Sequence, residues 1–411
     1  MSAMLSADQA LKIILENTPL LPEEKTLSAS AVGRILSQDI TSPLNLPPFD
    51  NSAMDGFALR ADDVVRASVE NPISLHVIKR VVAGDVENHC VMPLAHGQAV
   101  RIMTGAPVPE GADSVVPFED VEDSTSETAC VLRESVRTGQ HIRKAGEDVR
   151  EGESVFSQGE CVTVPKIALM QALGLSHIWT ARKPRIRILS TGNEIIPVGE
   201  SLQKGQIYNS NGPTLVAALT ELGCEVESLS VAVDTEEDLK KILGEAHEYD
   251  VLITIGGVSA GDLDLVPKVL TDLGAEEIFH KIAIKPGKPL LFCRWGKRLV
   301  FGLPGNPVSS LVVFQRFVRP ALLKMQGACE IFQQRYQARL TSDLRGSRGK
   351  EDYLRGIVTY EEGGFQACSA GAQGSAHLKS LAASNALIIL PPETDFLSSG
   401  DSVEFVFWEG K

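Results

Sequence analysis

The sequence predicts a multidomain chain of α/β plus β class: a central parallel-sheet α/β domain, an inserted mainly β domain and a small C-terminal β-barrel-like domain. Three observations predict it. Between Arg185 and about Gln326, strand-like runs alternate with amphipathic helix-length segments, which implies βαβ crossovers onto a parallel sheet. From Phe57 to about Val136, and again after Gly327, short β-type runs are separated by turn-forming residues. The chain is 411 residues long, enough for roughly two to four domains at about 100–200 residues each.

At the N-terminus, Leu11, Ile14 and Leu15 share one face of a helix capped by Ser6. A short apolar segment follows at Ala31 to Ile35. The proline-rich run SPLNLPPFDNSAMDG then ends any helix and forces an extended, turning path, which places a boundary near Asp50. ISLHVIKRVV, QAVRIM, DSVVPFED and ACVLRESV read as strands of the β insertion. A basic loop, HIRKAGEDV, leads to a helix from Pro165 to Leu173 closed by Gly174, with Pro in its first turn and Gly past its end. Residues 140–180 continue the first segment, so residues 1–50 and 140–180 form a linker domain and 51–139 an insertion.

Residues 181–326 form the α/β domain. RIRILSTG, EVESLSVAV and YDVLITIGG read as strands, with GPTLVAALTELG and TEEDLKKILGEAH as the helices between them; Leu215, Leu219 and Leu222, then Leu239, Ile242, Leu243 and Ala246, fall at helical spacing. Residues 264–273 and 307–325 supply further helices, with β runs KIAIK, PLLFC and RLVFG between. Residues 327–411 form the C-terminal β domain, from QQRYQARL, YLRGIVTY, GFQACSA, NALIIL and SVEFVFW.

Composition removes several function classes. With 39 Lys plus Arg against 53 Asp plus Glu, the net charge is −14, which repels phosphate backbones and argues against non-specific nucleic-acid binding. Any anionic ligand needs a local basic pocket. The seven cysteines form no C-x-x-C pair and read as reduced thiols of a cytoplasmic protein. The first residues match neither a signal nor a transit peptide, and no apolar run approaches the ~20 residues of a bilayer span, so no membrane association is expected.

In an α/β sheet, ligands bind where strands end and helices begin. Four such loops are unusual here. STGNE offers hydroxyls and backbone N–H groups from Ser190, Thr191 and Gly192 to an anion; its bland alternative is a helix cap. IGGVSAGDLD places Gly256, Gly257 and Gly261, with Ser259, where only Gly permits close approach to a ligand; it is neither a Walker A loop nor G-x-G-x-x-G. KIAIKPGKP puts Lys281, Lys285 and Lys288 on a rigid Pro-Gly turn that ends at Pro289, favouring an oxyanion site over a solvated charged face. LPGNPVSS starts a helix after Pro304, with Asn306 as cap, Pro307 in the first turn and Ser309 at the positive end. Elsewhere FDNSAMDGFA, RIMTGAPVPEGADSVV and RKAGEDV carry clustered carboxylates on stiff loops, the hard oxygen donors that Mg²⁺ prefers.

These motifs, in this order and spacing, resemble the molybdopterin molybdenumtransferase (MoeA) family, which includes the E-domain of gephyrin-type proteins. The resemblance covers the chain from about residue 8 to the C-terminus. It implies an elongated four-domain homodimer with its active site in a cleft at the dimer contact. Adenylylated molybdopterin is cleaved there with a divalent ion, AMP leaves and molybdate is ligated. It further implies molybdate contacts at Lys285, Lys288, Pro289, Ser309, Arg355 and Ser375. Catalytic positions are Asp55, Thr104, Asp148, Glu194 and Asp264, with Asp55, Asp148 and Glu194 holding Mg²⁺. Ser190, Thr191, Gly192, Gly256, Gly257, Ser259, Gly261, Lys281, Pro304 and Asn306 contact the pterin substrate. Molybdopterin adenylyltransferase and molybdoenzyme acceptors are the implied partners. The chain departs from the family pattern at Asn193, where Asp is common, at Phe57, where Tyr is common, and at Leu263.

Two other functions compete. A molybdopterin adenylyltransferase would carry a T-G-G-T-G type loop on a short single-domain chain, whereas this loop reads TIGGVSAG between flanking domains. A gephyrin-like scaffold could lose its active-site charges, yet Asp55, Asp148, Glu194, Lys285 and Lys288 are all present.

Overall fold

The computed structural model describes residues 4–84, 93–122, 127–131, 136–232, 235–244, 248–258 and 265–408. They pack into two compact units. The first comprises residues 1–38, 158–167 and 177–411, and the second residues 39–157 and 168–176.

The first unit is organised by a six-stranded sheet in the order Glu225–Ala232, Arg185–Thr191, Val251–Ile255, Arg298–Leu303, Leu291–Trp295, Glu276–His280. The first four strands run parallel, with Ile188 opposite Ile253 and Ile253 opposite Phe301, as βαβ crossovers require. Leu291–Trp295 runs antiparallel to both its neighbours, since RLVFG follows PLLFC by a tight turn rather than a helix, and Glu276–His280 beyond it has the direction of the first four. Alternate residues of each strand serve opposite faces. Ile186, Ile188, Val251, Ile253 and Phe301 pack with Leu215 and Leu219 of helix Asn211–Glu221 and with Val308 and Val312 of helix Pro307–Val313. Leu189, Leu252 and Val300 pack with Leu239 and Leu243 of helix Glu236–Gly244 and with Val266, Val269 and Leu270 of helix Leu265–Asp272.

The N-terminal helix, Ala7–Glu16, carries the expected Ser6 cap as a full capping box, with Gln9 bonding back to the Ser6 N–H. It buries Leu11 and Ile14 in the core of the first unit. The helix expected over 307–325 is one helical run whose middle, Phe314–Val318, widens into a π turn. Pro320 has no N–H to return to the carbonyl four residues back, so the preceding turn loosens.

The KIAIK run departs from expectation. Only Ile284–Lys285 is strand, and it pairs outside the α/β sheet, parallel to the start of the long strand Glu351–Glu361. That long strand opens the C-terminal barrel. Around the ring come Gly364–Ser369, Tyr336–Leu340, Ser402–Phe407 and Ala386–Leu390, which pairs back to Glu351–Glu361 and closes five strands without an edge. Leu354, Val358, Ile388 and Phe405 fill its core. Gly356 must be small: a Cβ there would lie 2.7 Å from the Ile388 side chain.

The second unit is mainly β. Its six-stranded sheet runs Ser114–Pro117, Gly56–Leu59, Gln98–Ile102, Ile73–Val81, Thr128–Val131, Val121–Glu122. Phe57, Leu59, Leu75, Val77 and Val116 form one core, and Val81, Val100, Ile102 and Val115 another. Two short ladders, Ile40–Thr41 with Ser154–Phe156 and Asn51–Ser52 with Ile142–Arg143, tie the flanking segments together. The predicted helix at Pro165–Leu173 is present as Val164–Ala172, with Gly174 at φ 71° beyond it. Among the described residues no helix is long and apolar enough to cross a membrane.

Phe405 stacks on Tyr336 at 5.6 Å and meets Phe365 and Phe407 edge-on at 5.3 and 5.1 Å. Phe405→Ala is therefore expected to cost about 3–5 kcal/mol of barrel stability in guanidinium unfolding, and a loss below about 1 kcal/mol would contradict a closed aromatic core.

Candidate active site

Three strands of the parallel sheet, ending at Thr191, Ile255 and Leu303, deliver their loops to the same edge of the first unit. The Gly256 N–H donates to the Leu303 carbonyl at 3.0 Å and Asn211 Nδ2 to the Gly305 carbonyl at 2.7 Å, so the loops brace each other. Gly256 and Gly257 have φ of 85° and 63°. A Cβ on either would crowd Thr191 or Val266 below 3 Å, which is why two glycines stand there. Ser259, Gly261 and Asp264, expected in the same loop, lie outside the described residues.

STGNE behaves differently from its sequence expectation. Ser190 and Thr191 are buried, and their hydroxyls are committed inward: Asn209 Nδ2 donates to Ser190 Oγ at 3.1 Å, and Thr191 Oγ1 donates to the Ile255 carbonyl at 3.3 Å. Gly192 is buried too, Asn193 and Glu194 are exposed, and the Glu194 carboxylate folds back over Gly192, where a Cβ would lie 2.7 Å from its Oε2. The accessible side chains of this turn are the Asn193 amide and the Glu194 carboxylate, not the two hydroxyls.

The lysine turn is rigid. Ile282 N–H donates to the Lys288 carbonyl and Lys281 N–H to that of Leu290, both at 3.0 Å, closing the loop on its own backbone. Gly287, at φ 116°, is pressed against the helix below, and a Cβ there would sit 2.7 Å from Val313 Cγ2. Lys285 and Lys288 stand exposed on this frame, Lys281 and Pro289 half-buried. Lys285 Nζ donates to Ser347 Oγ at 2.7 Å.

The helix start at Pro307 corrects a detail. Asn306 occupies the cap position but its side chain makes no cap bond. Instead the Val308 N–H donates to the Ser375 carbonyl at 3.2 Å, so a loop of the barrel domain caps the helix. That loop is shaped by Arg355. Its side chain is fully buried; Nη2 donates to the carbonyls of Ala372 at 2.7 Å and Gly374 at 3.0 Å, while Gln373 exchanges hydrogen bonds with its backbone. Arg355 Nη1 has no protein acceptor. Pro304 and Ser309 are buried beside the same helix start, and Ser375 is half-buried. A buried guanidinium with an unused donor is costly unless something anionic accepts from it.

The second unit holds a separate acidic group. Asp55 Oδ1 accepts from the Thr104 N–H at 2.7 Å and from its hydroxyl at 2.8 Å. These two bonds, the backbone one the stronger, hold the exposed Asp55 carboxyl below its ordinary range. Oδ2 makes no such bond and stays open to a cation. Asp148 and Glu147 line a cavity of about 580 Å³ with Leu46, Pro47, Asn51 and Arg143. Asp50 is pinned by Lys144 Nζ at 2.7 Å and the Ala145 N–H at 2.9 Å, which lower its pKa. Among the described residues no three His, Cys, Asp or Glu side chains gather as a ready metal cage.

Sequence reasoning missed Ser347, Gln373 and Asp352. Each acts through a tertiary neighbour far along the chain, and no local pattern marks it. The five cysteines described as free, Cys161, Cys224, Cys293, Cys329 and Cys368, include two buried thiols, Cys224 and Cys293, pushed up to about 12 by burial.

Comparison with known proteins decides the family. The MoeA N-terminal region (domains I and II) matches residues 5–174, a probable molybdopterin binding domain residues 187–324, and the MoeA C-terminal region (domain IV) residues 337–408. The molybdopterin molybdenumtransferase of Haemophilus influenzae is 38% identical over 407 residues, covering 97% of this chain and 98% of its own. The chain belongs to the MoeA family. Its relative in Synechococcus elongatus, also named molybdopterin molybdenumtransferase, is 37% identical across 98% of this chain and 99% of its own. The crystal structure of a MoeA protein from Pyrococcus horikosii superposes with a TM-score of 0.83 at 33% identity, over all of both chains.

If Thr104 sets the acidity of Asp55, Thr104→Val removes the hydroxyl donor but leaves the N–H. The Asp55 pKa should then rise part-way toward the ordinary value near 3.8, as read by carboxyl-carbon NMR titration. An unmoved titration would mean the hydroxyl contributes nothing.

Proposed function

We propose that this chain inserts molybdate into adenylylated molybdopterin, with Mg²⁺ and with release of AMP, as a transferase of molybdenum cofactor biosynthesis. The observation that carries the reading is the cationic patch of the first unit. Lys285 and Lys288 project from a turn closed by its own backbone. The Arg355 guanidinium, buried with Nη1 unsatisfied, shapes the loop that caps the Pro307 helix. In a chain of net charge −14, two lysines on a closed turn and a buried arginine with an unused donor are the fixed cations that a compact dianion such as molybdate needs.

The carboxylates have a different task. Asp55 is held ionised by Thr104 and offers a hard oxygen; Asp148 and Glu194 supply others. On this reading Asp55 and Asp148 of the second unit would hold Mg²⁺, which would neutralise phosphate charge and keep several waters while bound by one or two carboxylates. Hydrolysis of the phosphoanhydride breaks one P–O bond: water adds to the adenylyl phosphorus and gives up a proton to solvent, the molybdopterin phosphate leaves with the bridging oxygen, and AMP is released. Thr104 fixes the Asp55 carboxylate for that step, and no covalent nucleophile is needed, because phosphoryl-type transfer depends on placement and charge neutralisation. Lys281 and the Gly256–Gly257 turn hold the pterin substrate near its phosphate. The active protein is a homodimer of the cytoplasm on this proposal, receiving its substrate from an adenylyltransferase and passing product to molybdoenzymes.

Two substitutions test it in an assay of AMP release from adenylylated molybdopterin, Mg²⁺ and molybdate. Asp55→Asn, which removes charge at nearly constant volume, should lower turnover by about a hundredfold or more with an unchanged fold. Lys288→Ala should raise the half-saturating molybdate concentration by about tenfold, with activity restored at excess molybdate. Near wild-type turnover of the first variant, or failure of excess molybdate to rescue the second, would refute the assignment.

A further inference from the structure

The long strand Glu351–Glu361 carries a second charged residue close to the lysine turn. Its even-numbered members face the barrel core: Leu354 and Val358 pack there, and Gly356 meets Ile388. Asp352 belongs to that face, at the mouth of the barrel, and its side chain is 1% exposed. A carboxylate so placed is expensive unless it is hydrogen-bonded or paired. Neither Asp352 oxygen makes a well-aligned hydrogen bond.

Its surroundings account for its presence. Ile284–Lys285 pairs in parallel with this strand, and the register sets Lys285 opposite Asp352. Lys285 Nζ donates to Ser347 Oγ at 2.7 Å. Burial pushes the Asp352 carboxyl up, while the Ser347 hydroxyl and N–H beside it and the charges of Lys285 and Lys350 pull it back. A hydroxyl that accepts from an ammonium keeps its own O–H to offer, and the neighbouring acceptor is Asp352.

We infer that Asp352 is a positioning residue for the oxyanion site, acting through Ser347 to hold the Lys285 ammonium against the barrel mouth. One strand then sets the patch from both its faces. On one face Arg355 fixes the Ala372–Ser375 loop, and on the other Asp352 fixes a lysine of the neighbouring domain. Without the carboxylate, the flexible Lys285 stem is free to sweep into solvent, and its order must be recovered each time an oxyanion binds. The inference rests on Lys285 being an oxyanion ligand, as proposed above.

A double-mutant cycle on the full-length protein, read by isothermal titration with sodium molybdate and by turnover at saturating molybdate, separates the possibilities. Lys285→Ala should weaken molybdate binding by about tenfold; Asp352→Asn should weaken it by about fivefold while turnover at saturation stays within about twofold, and in the Lys285→Ala background the further loss should be under about twofold. If Lys285→Ala leaves affinity unchanged, the oxyanion reading itself fails and the inference with it. If Lys285→Ala weakens binding but Asp352→Asn does not, or does so equally in both backgrounds, only the inference is overturned, and Asp352 is structural. Should Asp352→Asn fail to fold, Ser347→Ala enters the same cycle. Its loss must vanish in the Lys285→Ala background, and a loss that persists overturns the inference.

Discussion

Four residues in two parallel strands, Ile284–Lys285 beside Glu351–Asp352, join the α/β module to the barrel within the first unit. The pairing is short, but it fixes which side chains can cooperate. It brings the lysine turn to the strand that also carries Arg355, and Arg355 in turn shapes the loop whose Ser375 carbonyl caps the Pro307 helix. Backbone pairing, the Arg355 side chain and the Ser375 carbonyl thus link the lysine turn through the barrel to the helix start. Cations separated by dozens of residues are held on one frame by this pairing together with their own contacts, Lys285 with Ser347 and Arg355 with the Ala372 and Gly374 carbonyls.

The electrostatics follow from that frame. A strongly acidic chain would repel a dianion everywhere, so the attractive region has to be built from cations whose own stabilising partners are limited. Arg355 gives Nη2 to two carbonyls and keeps Nη1 unused, and Lys288 stands exposed on a closed turn. Such donors are kept ready at a cost in folding stability, which the closed barrel core and the two-sided α/β core offset. The carboxylates of the second unit show the complementary design: Thr104 spends both its donors on one oxygen of Asp55 and leaves the other open.

Much of this was legible without coordinates. The 3.6-residue spacing of Leu215, Leu219 and Leu239, Leu243, set between apolar strand runs, gave the parallel sheet, because burial on two faces leaves a periodic trace in the residues themselves. Ser6 gave the first helix start, since an N-cap is local in sequence; its partner Gln9 appeared only in the structure. The lysine turn was visible as charge clustered on Pro and Gly. Other expectations changed. KIAIK has strand character but gave no sign that its partner lies some sixty-five residues on, outside the sheet. STGNE shows hydroxyls but not that Asn209 and Ile255 already engage them. Asn306 sits at a cap position, yet the capping group arrives from Ser375.

What the residues alone determined is therefore each element, its period, its terminal signals, and which loops are stiff enough to hold charge, because these depend on neighbours within a few positions. What only the folded chain decided is who faces whom. Asp352 and Ser347 look like an ordinary strand start and turn in the sequence; their standing beside Lys285 depends on register between strands that sequence separation hides. Pairing energies of that kind are set by the whole surrounding core rather than by any local pattern of residues.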